Sequence, residues 1–253
     1  DKAKNILSST WYNSSRTTTI FCHGFTGNNV ALLNWDQLAG SKYSLYFTSY
    51  LMWAVPNAIK LGADFADVLL TLSEAGLDLN KTHLVGHSLG AQIVGITGNK
   101  MVEKGVRLIT GLDPAGVVFD FKWPHGRLNP NSAGFIDVIH SDPSKYGSKI
   151  QLGTVDFWPN YRINGPVLQP GCDNRWHPMF SPEDLCNHEK CWQYLIDSMK
   201  YPESVLGSHA KNFREWKNYK KPERFAVVLE LGKYYHNTPD FVKVTVFGSE
   251  KCH

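Results

Sequence analysis

Short strand-like runs alternate with helical patterns through the first two thirds of the chain. The strand-like runs fall at residues 17–23, 44–53, 82–87, 106–113, 134–141 and 152–158. Between the second and third, residues 56–76 carry Ile59, Leu61, Phe65, Val68, Leu69 and Leu72 at a spacing that fits one face of a helix. Pro56 and Asn57 suit its first turn. Residues 89–105 predict a second helix, closed by Gly105 as a C-terminal stop. Beyond about residue 205 the pattern turns aromatic and β-like, in "RFAVVLEL" and "FVKVTVFG", which predict edge strands or a small hairpin. Strand, helix, strand, helix at this spacing implies parallel strands joined by crossovers. The expected fold class is α/β, a mostly parallel sheet with helices on both faces, in one domain over residues 1–253. Ligands of such sheets sit beyond the carboxyl ends of the strands, so the chemistry is to be sought there.

Composition narrows the class. Charged residues make up 19% and the net charge is +3, with no stretch that concentrates Lys and Arg, so a nucleic-acid partner is not expected. No window is long and apolar enough to span a bilayer. The opening "DKAKNILSSTWY" has no apolar signal region and reads as a mature N-terminus after removal of a signal peptide. Among five cysteines, Cys172 and Cys186 bound a polar and aromatic loop that a disulfide can close. Cys22 lies in an apolar run and reads as a buried thiol, while the pairing of Cys191 with Cys252 stays open. "NSS" at Asn13 and "NKT" at Asn80 fit the N-glycosylation pattern, and with the cysteine loop they point to a secreted glycoprotein.

The chemistry concentrates at "GHSLG", Gly86 to Gly90, which fits the G-x-S-x-G elbow with a strand before it and a helix after. A serine hydroxyl needs a base to take its proton and a carboxylate to hold that base. Asp113, in "ITGLDPAG", closes the next strand at the same expected sheet edge as Ser88. In the serine–acid–histidine chain order of such elbows, His23, His83 and His87 come too early. Seven histidines remain, with His188, expected in the loop just before a helix, and the strand-end His140 as the main rivals. The amide of Leu89, directly after the serine, is one oxyanion donor, and Phe25, in the glycine-rich "HGFTGN", is the second. No cofactor and no metal enter this chemistry.

"HGFTGN", "HLVGHSLGAQIVG", "ITGLDPAG", "DVIHSD", "LGTVDFWPN", "PGC" and "LCNHEKCWQYLIDSM", in that order over roughly residues 18–200, resemble the pancreatic lipase family. The resemblance implies an α/β-hydrolase with Ser88 as nucleophile, Asp113 as acid, His188 as base, and Phe25 and Leu89 as oxyanion amides. Too few residues follow position 200 for that family's C-terminal β-sandwich, so no colipase partner is expected. Its calcium loop is carboxylate-rich, whereas "RLNPNSAG" offers only Asn129, Asn131 and Ser132, so no calcium is expected either. Short loops in the lid region resemble the secreted phospholipases A1 of insect venoms and related enzymes. Trp176, Met179 and Phe180 are the lid residues that would meet lipid. Gln92 replaces a histidine common in the family and reads as a packing difference. The implied function is a secreted serine hydrolase for lipid esters, either a phospholipase A1 or a neutral acylglycerol lipase, working at a membrane or lipid-droplet surface. The alternatives are a catalytically silent lipid-binding or yolk-type storage protein, and a hydrolase for small esters.

Overall fold

The computed structural model describes residues 2–8, 12, 14, 18–22, 33–101, 105–143, 145–162, 165–200, 206–210 and 240–245, the last two segments as backbone strands. The strands are β1 (Thr18–Cys22), β2 (Thr82–His87), β3 (Leu108–Leu112), β4 (Phe135–Ile139), β5 (Val155–Phe157), β6 (Leu206–Ala210) and β7 (Asp240–Thr245). They form a seven-stranded sheet in the order β1-β2-β3-β4-β5-β7-β6, in which every neighbouring pair is parallel except the β6–β7 pair at the edge. The helices are α1 (Lys2–Leu7), α2 (Asp36–Ala39), α3 (Tyr46–Ser49), α4 (Val55–Glu74), α5 (Leu89–Lys100) and α6 (Cys186–Lys200). This is the expected α/β arrangement. Of the late strand-like runs, "FVKVTVFG" contributes to β7, and "RFAVVLEL" lies outside the described residues.

Both faces of the parallel sheet are covered, which is why its strands read as nearly continuous apolar runs. On one side Leu84, Ile109, Ile136 and Val138 pack with Ala58, Phe65 and Leu69 of α4 and Leu89 and Ile93 of α5. On the other, Val85, Leu112, Ile139, Val155 and Phe157 pack with Cys191, Tyr194 and Leu195 of α6. The alternation of side chains along each strand sends neighbouring residues to opposite faces.

Residues 44–53 are a correction: they form α3 and a π-helical turn, Tyr50–Ala54, that runs directly into α4. Aromatic residues in the run favour a strand locally. Here they do not join the sheet: β1 pairs with β2 and, among the described residues, carries one further bridge, Cys22 to Leu33. The wide turn buries Tyr50 while leaving Met52 exposed.

Register sets the site. His87 pairs with Leu112, Leu112 with Ile139 and Ile139 with Phe157, so the ends of four consecutive strands lie level. The ladder continues one residue further through Ser88 N–H to Leu112 O (2.9 Å), Asp113 N–H to Ile139 O (2.7 Å) and His140 N–H to Phe157 O (2.8 Å). Ser88, Asp113 and His140 therefore stand along one rim, at the carboxyl ends.

Gln92 is more than a packing difference. Fully buried in α5, it donates through Nε2 to Ala115 O (2.8 Å) and accepts from Leu128 N–H at Oε1 (2.9 Å), tying the helix after the serine to the loop after Asp113. Replacing it with leucine strands a buried amide and a buried carbonyl, so Gln92→Leu is expected to cost about 2 kcal/mol of stability, measured by urea denaturation.

Candidate active site

Ser88 occupies a strained corner, with φ 55° and ψ −120°, between β2 and α5. The corner is possible because a side chain at Gly86 would meet the backbone of Gly90 at 2.4 Å. Strain of this kind persists only where surrounding structure enforces it, and here it holds the buried Ser88 at the start of a helix, where it lines a cleft. Leu89 N–H lies in the first turn of α5, where amides have no acceptor within the helix. That places one of the two expected oxyanion donors beside the serine. Phe25 lies outside the described residues.

Asp113, also at positive φ, is wholly buried at the end of β3. Its Oδ1 accepts from the backbone N–H groups of Ser141 (2.8 Å) and Asp142 (3.0 Å), and its Oδ2 lies 2.5 Å from His188 Nδ1. Gly147 packs against this carboxylate so closely that a Cβ there would fall 2.3 Å from Oδ1. The structure therefore joins the expected acid to the expected base across 75 residues of sequence.

His188 sits in the first turn of α6 rather than in a loop, a correction to its expected setting. Its carbonyl accepts from His87 Nε2 (3.3 Å), Ser141 Oγ (3.3 Å) and Cys191 Sγ (3.1 Å), which clamps the backbone from three sides. Two residues earlier, the Cys172–Cys186 disulfide closes the expected loop. Cys191 is buried as a thiol, and Cys252 lies outside the described residues. The rival, His140, is on the same rim but fully buried, with Nδ1 3.0 Å from Ser148 O, Nε2 2.7 Å from Asp156 Oδ1, and its ring stacked on Trp158. Both ring nitrogens are engaged, so His140 is a structural residue.

Sequence reasoning missed the groups that surround His188. The Tyr146 ring lies 5.5 Å from its ring and the His87 ring 4.7 Å. Tyr146 hydrogen-bonds Asp184, which also accepts from Lys145. Buried Gln169 donates through Nε2 to Ser141 O (2.7 Å) and Pro159 O (3.0 Å) and accepts from Tyr194 Oη (2.8 Å), holding the wall behind the acid. None of these carries a sequence pattern; only adjacency in space reveals them.

Ser88 and His188 line one cleft of about 520 Å³, walled by Phe47, Tyr50, Val117, Leu185 and the expected lid residues Trp176, Met179 and Phe180. Trp176 is 86% exposed and Met179 56%, while Phe180 is half-buried against Tyr46 and Tyr146. Of the residues weighed as weak calcium donors, Asn129 accepts from Asn131 N–H at Oδ1 (3.0 Å) and donates through Nδ2 to Asn99 and Ser132, and Ser132 Oγ donates to Asn99 Oδ1 (2.8 Å).

Charge in the site favours a protonated His188. Burial alone would lower its pKa, but the hydrogen bond and charge of Asp113, with Asp142 and Glu189, outweigh burial and raise it. Burial, with the charge of His188, holds neighbouring His87 down at about 4, so it stays neutral. Burial pushes Asp142 up to about 7, with Asp113 adding to the shift. A general base must be neutral, so kcat/KM is expected to rise with pH through a value above that of an ordinary histidine. In Asp142→Asn one of the charges that raise His188 is gone, and the acid limb of the profile moves to lower pH, as read from short-chain ester hydrolysis.

Known proteins bear on these residues. The family model described as Lipase matches residues 26–225. Lipase member H of Oryctolagus cuniculus is 31% identical over 269 residues, covering 94% of this chain and 56% of that protein. Hepatic triacylglycerol lipase of Mus musculus is 35% identical over 189 residues, covering 68% of this chain and 35% of its own length. Pancreatic lipase-related protein 3 of Homo sapiens is 28% identical, covering 86% and 48%. The chain thus spans about half or less of these relatives. By the family match and these identities, the chain belongs to the Lipase family, the pancreatic-lipase family of α/β-hydrolases.

Proposed function

We propose that this protein hydrolyses carboxylic esters of lipids through an acyl-enzyme on Ser88. The observation that carries the reading is the His188–Asp113 pair facing a largely apolar cleft that Ser88 also lines. With Nδ1–H donated to Asp113, His188 keeps Nε2 as the basic nitrogen. Nε2 takes the Ser88 proton as Oγ attacks the ester carbonyl, and Leu89 N–H, at the positive end of α5, stabilises the oxyanion. The imidazolium gives that proton to the departing alcohol; water, deprotonated by the same nitrogen, then releases the fatty acid. Phe25 is the second oxyanion donor in this scheme.

The cleft suits an acyl chain, and the exposed Trp176 and Met179 at its mouth suit a lipid surface, where an apolar ring gains by leaving water. Phospholipase A1 or neutral acylglycerol lipase action follows from that surface. A disulfide persists in oxidising compartments, and Asn80, the sequon residue within the described part of the chain, is exposed. Both support a secreted glycoprotein.

Two measurements check this reading. Ser88→Ala is expected to lower turnover of a short-chain chromogenic ester by on the order of a millionfold; equal rates for parent and variant refute the mechanism. Secretion from eukaryotic cells should yield a protein whose mass falls on glycosidase treatment by one glycan more than that of Asn80→Gln. Identical masses after secretion remove Asn80 as an attachment site.

A further inference from the structure

Tyr146 borders the acid, the base and the loop closed by the Cys172–Cys186 disulfide. Its carbonyl accepts from Gly116 N–H (2.9 Å), in the segment after Asp113, and the next residue, Gly147, is the one packed against the Asp113 carboxylate. Gly147 N–H in turn donates to Asp142 O (3.0 Å), which fixes the backbone of this turn. From that anchored position the Tyr146 ring reaches to 5.5 Å from the His188 ring and 5.3 Å from the Phe180 ring, each at 40°. Its hydroxyl donates to Asp184.

The disulfide-closed loop grips Tyr146 in return. Asp184 accepts from Lys145 Nζ at Oδ1 (2.8 Å), and at Oδ2 from the Tyr146 hydroxyl and from Phe180 N–H (3.0 Å). Phe180 N–H also reaches Tyr146 Oη (3.2 Å). Phe180 has φ 65°, a costly conformation for a bulky residue that persists only where its surroundings impose it. The shared hydrogen bonds to Asp184 and Tyr146 supply that imposition. This end of the loop is therefore clamped, while Trp176 and Met179 further along it stand exposed.

What the base needs decides what the clamp does. One hydrogen bond, from Nδ1 to Asp113, holds the His188 ring at a single point. The last torsion of a histidine is broad, so the tilt of the ring about that point is set by what packs on it. Packed on it are the rings of His87, at 4.7 Å, and Tyr146. A general base must stay within hydrogen-bond reach of the proton it takes, and a displacement of about 1 Å can cost on the order of a hundredfold in rate.

We propose that Tyr146 is a positioning residue for His188, and that Phe180 and Asp184 of the disulfide-closed loop position Tyr146 in turn. The loop expected to serve as a lid is, at this end, a brace for the base, and turnover needs it in place. The assignment rests on the ester-hydrolase reading and deepens it.

The test measures kcat and KM for soluble p-nitrophenyl butyrate, with folding followed by thermal unfolding. Tyr146→Leu is expected to lower kcat on the order of a hundredfold with KM nearly unchanged. Tyr146→Phe keeps the ring and should stay within about threefold of the parent, whereas Asp184→Ala frees both Tyr146 and Phe180 and should lower kcat about tenfold. A loss confined to KM, or parental kcat in either Tyr146→Leu or Asp184→Ala, overturns the proposal; should Tyr146→Leu not fold, Asp184→Ala against Tyr146→Phe decides. A second readout needs no turnover. The proton between His188 Nδ1 and Asp113 Oδ2, 2.5 Å apart, is expected to give a far-downfield proton resonance, sharp in the parent and in Tyr146→Phe and broadened by exchange with water in Tyr146→Leu and Asp184→Ala. An equally sharp, unshifted resonance in all four overturns the brace whatever the turnover. Absence of all ester hydrolysis by the parent, with the broadening intact, overturns the mechanism and leaves the brace standing.

Discussion

The carboxylate of Asp113 has been taken entirely out of water, and that burial is the constraint around which the rest is arranged. A buried carboxylate is tolerable only when its oxygens meet donors. Two come from the backbone of the segment after β4 and one from the N-terminal turn of α6. Satisfying them requires β3 and β4 to be neighbours, the chain after β4 to fold back over their ends, and α6 to begin where it does. The disulfide at the start of α6 and the buried amide of Gln169 hold the last two of these in place. Even Gly147 answers to the same demand, since any larger residue would displace the carboxylate.

His140 and His188 show how one residue type acquires two roles from its surroundings. Both are buried and both are hydrogen-bonded to an aspartate. At His140 a carbonyl holds the second nitrogen and an indole covers the ring, so the pair braces the strand ends. At His188 only Nδ1 is committed to the acid, and the ring opens on a cleft shared with Ser88. Reactivity here is a matter of which nitrogen the fold leaves unspent.

Much of this was legible in the sequence because it depends on short-range patterns. Short, nearly continuous apolar runs located β1 to β5, the helical spacing located α4 and α5, and the Gly86–Gly90 corner marked the rim. The order of elbow and acid then pointed to Ser88 and Asp113 and left His188 and His140 as rivals for the base; the resemblance to the pancreatic lipase family chose His188. Two things were misread. Residues 44–53 have strand-like side chains but fold into α3 and the widened turn that leads into α4, and His188 lies inside a helix whose first turn holds no strong start signal beyond the half-cystine. What could not be read at all, such as Asp142, Tyr146, Gln169 and the bridging role of Gln92, depends on partners tens of residues away. No local period encodes such contacts.

The π-helical turn at Tyr50–Ala54 carries one residue more than the α-helix it leads into would use, and such widened turns gather at functional sites. That extra residue acts as a phase setting. In an α-helix each residue advances the chain by about 100°, so shortening the turn by one would rotate everything upstream by roughly that angle relative to α4. Phe47 would then swing away from the cleft while α4 stayed seated on the sheet. The breadth of the catalytic cleft on this side is thus written in the length of one turn, and related chains with a different count there would present Ser88 with a differently shaped wall.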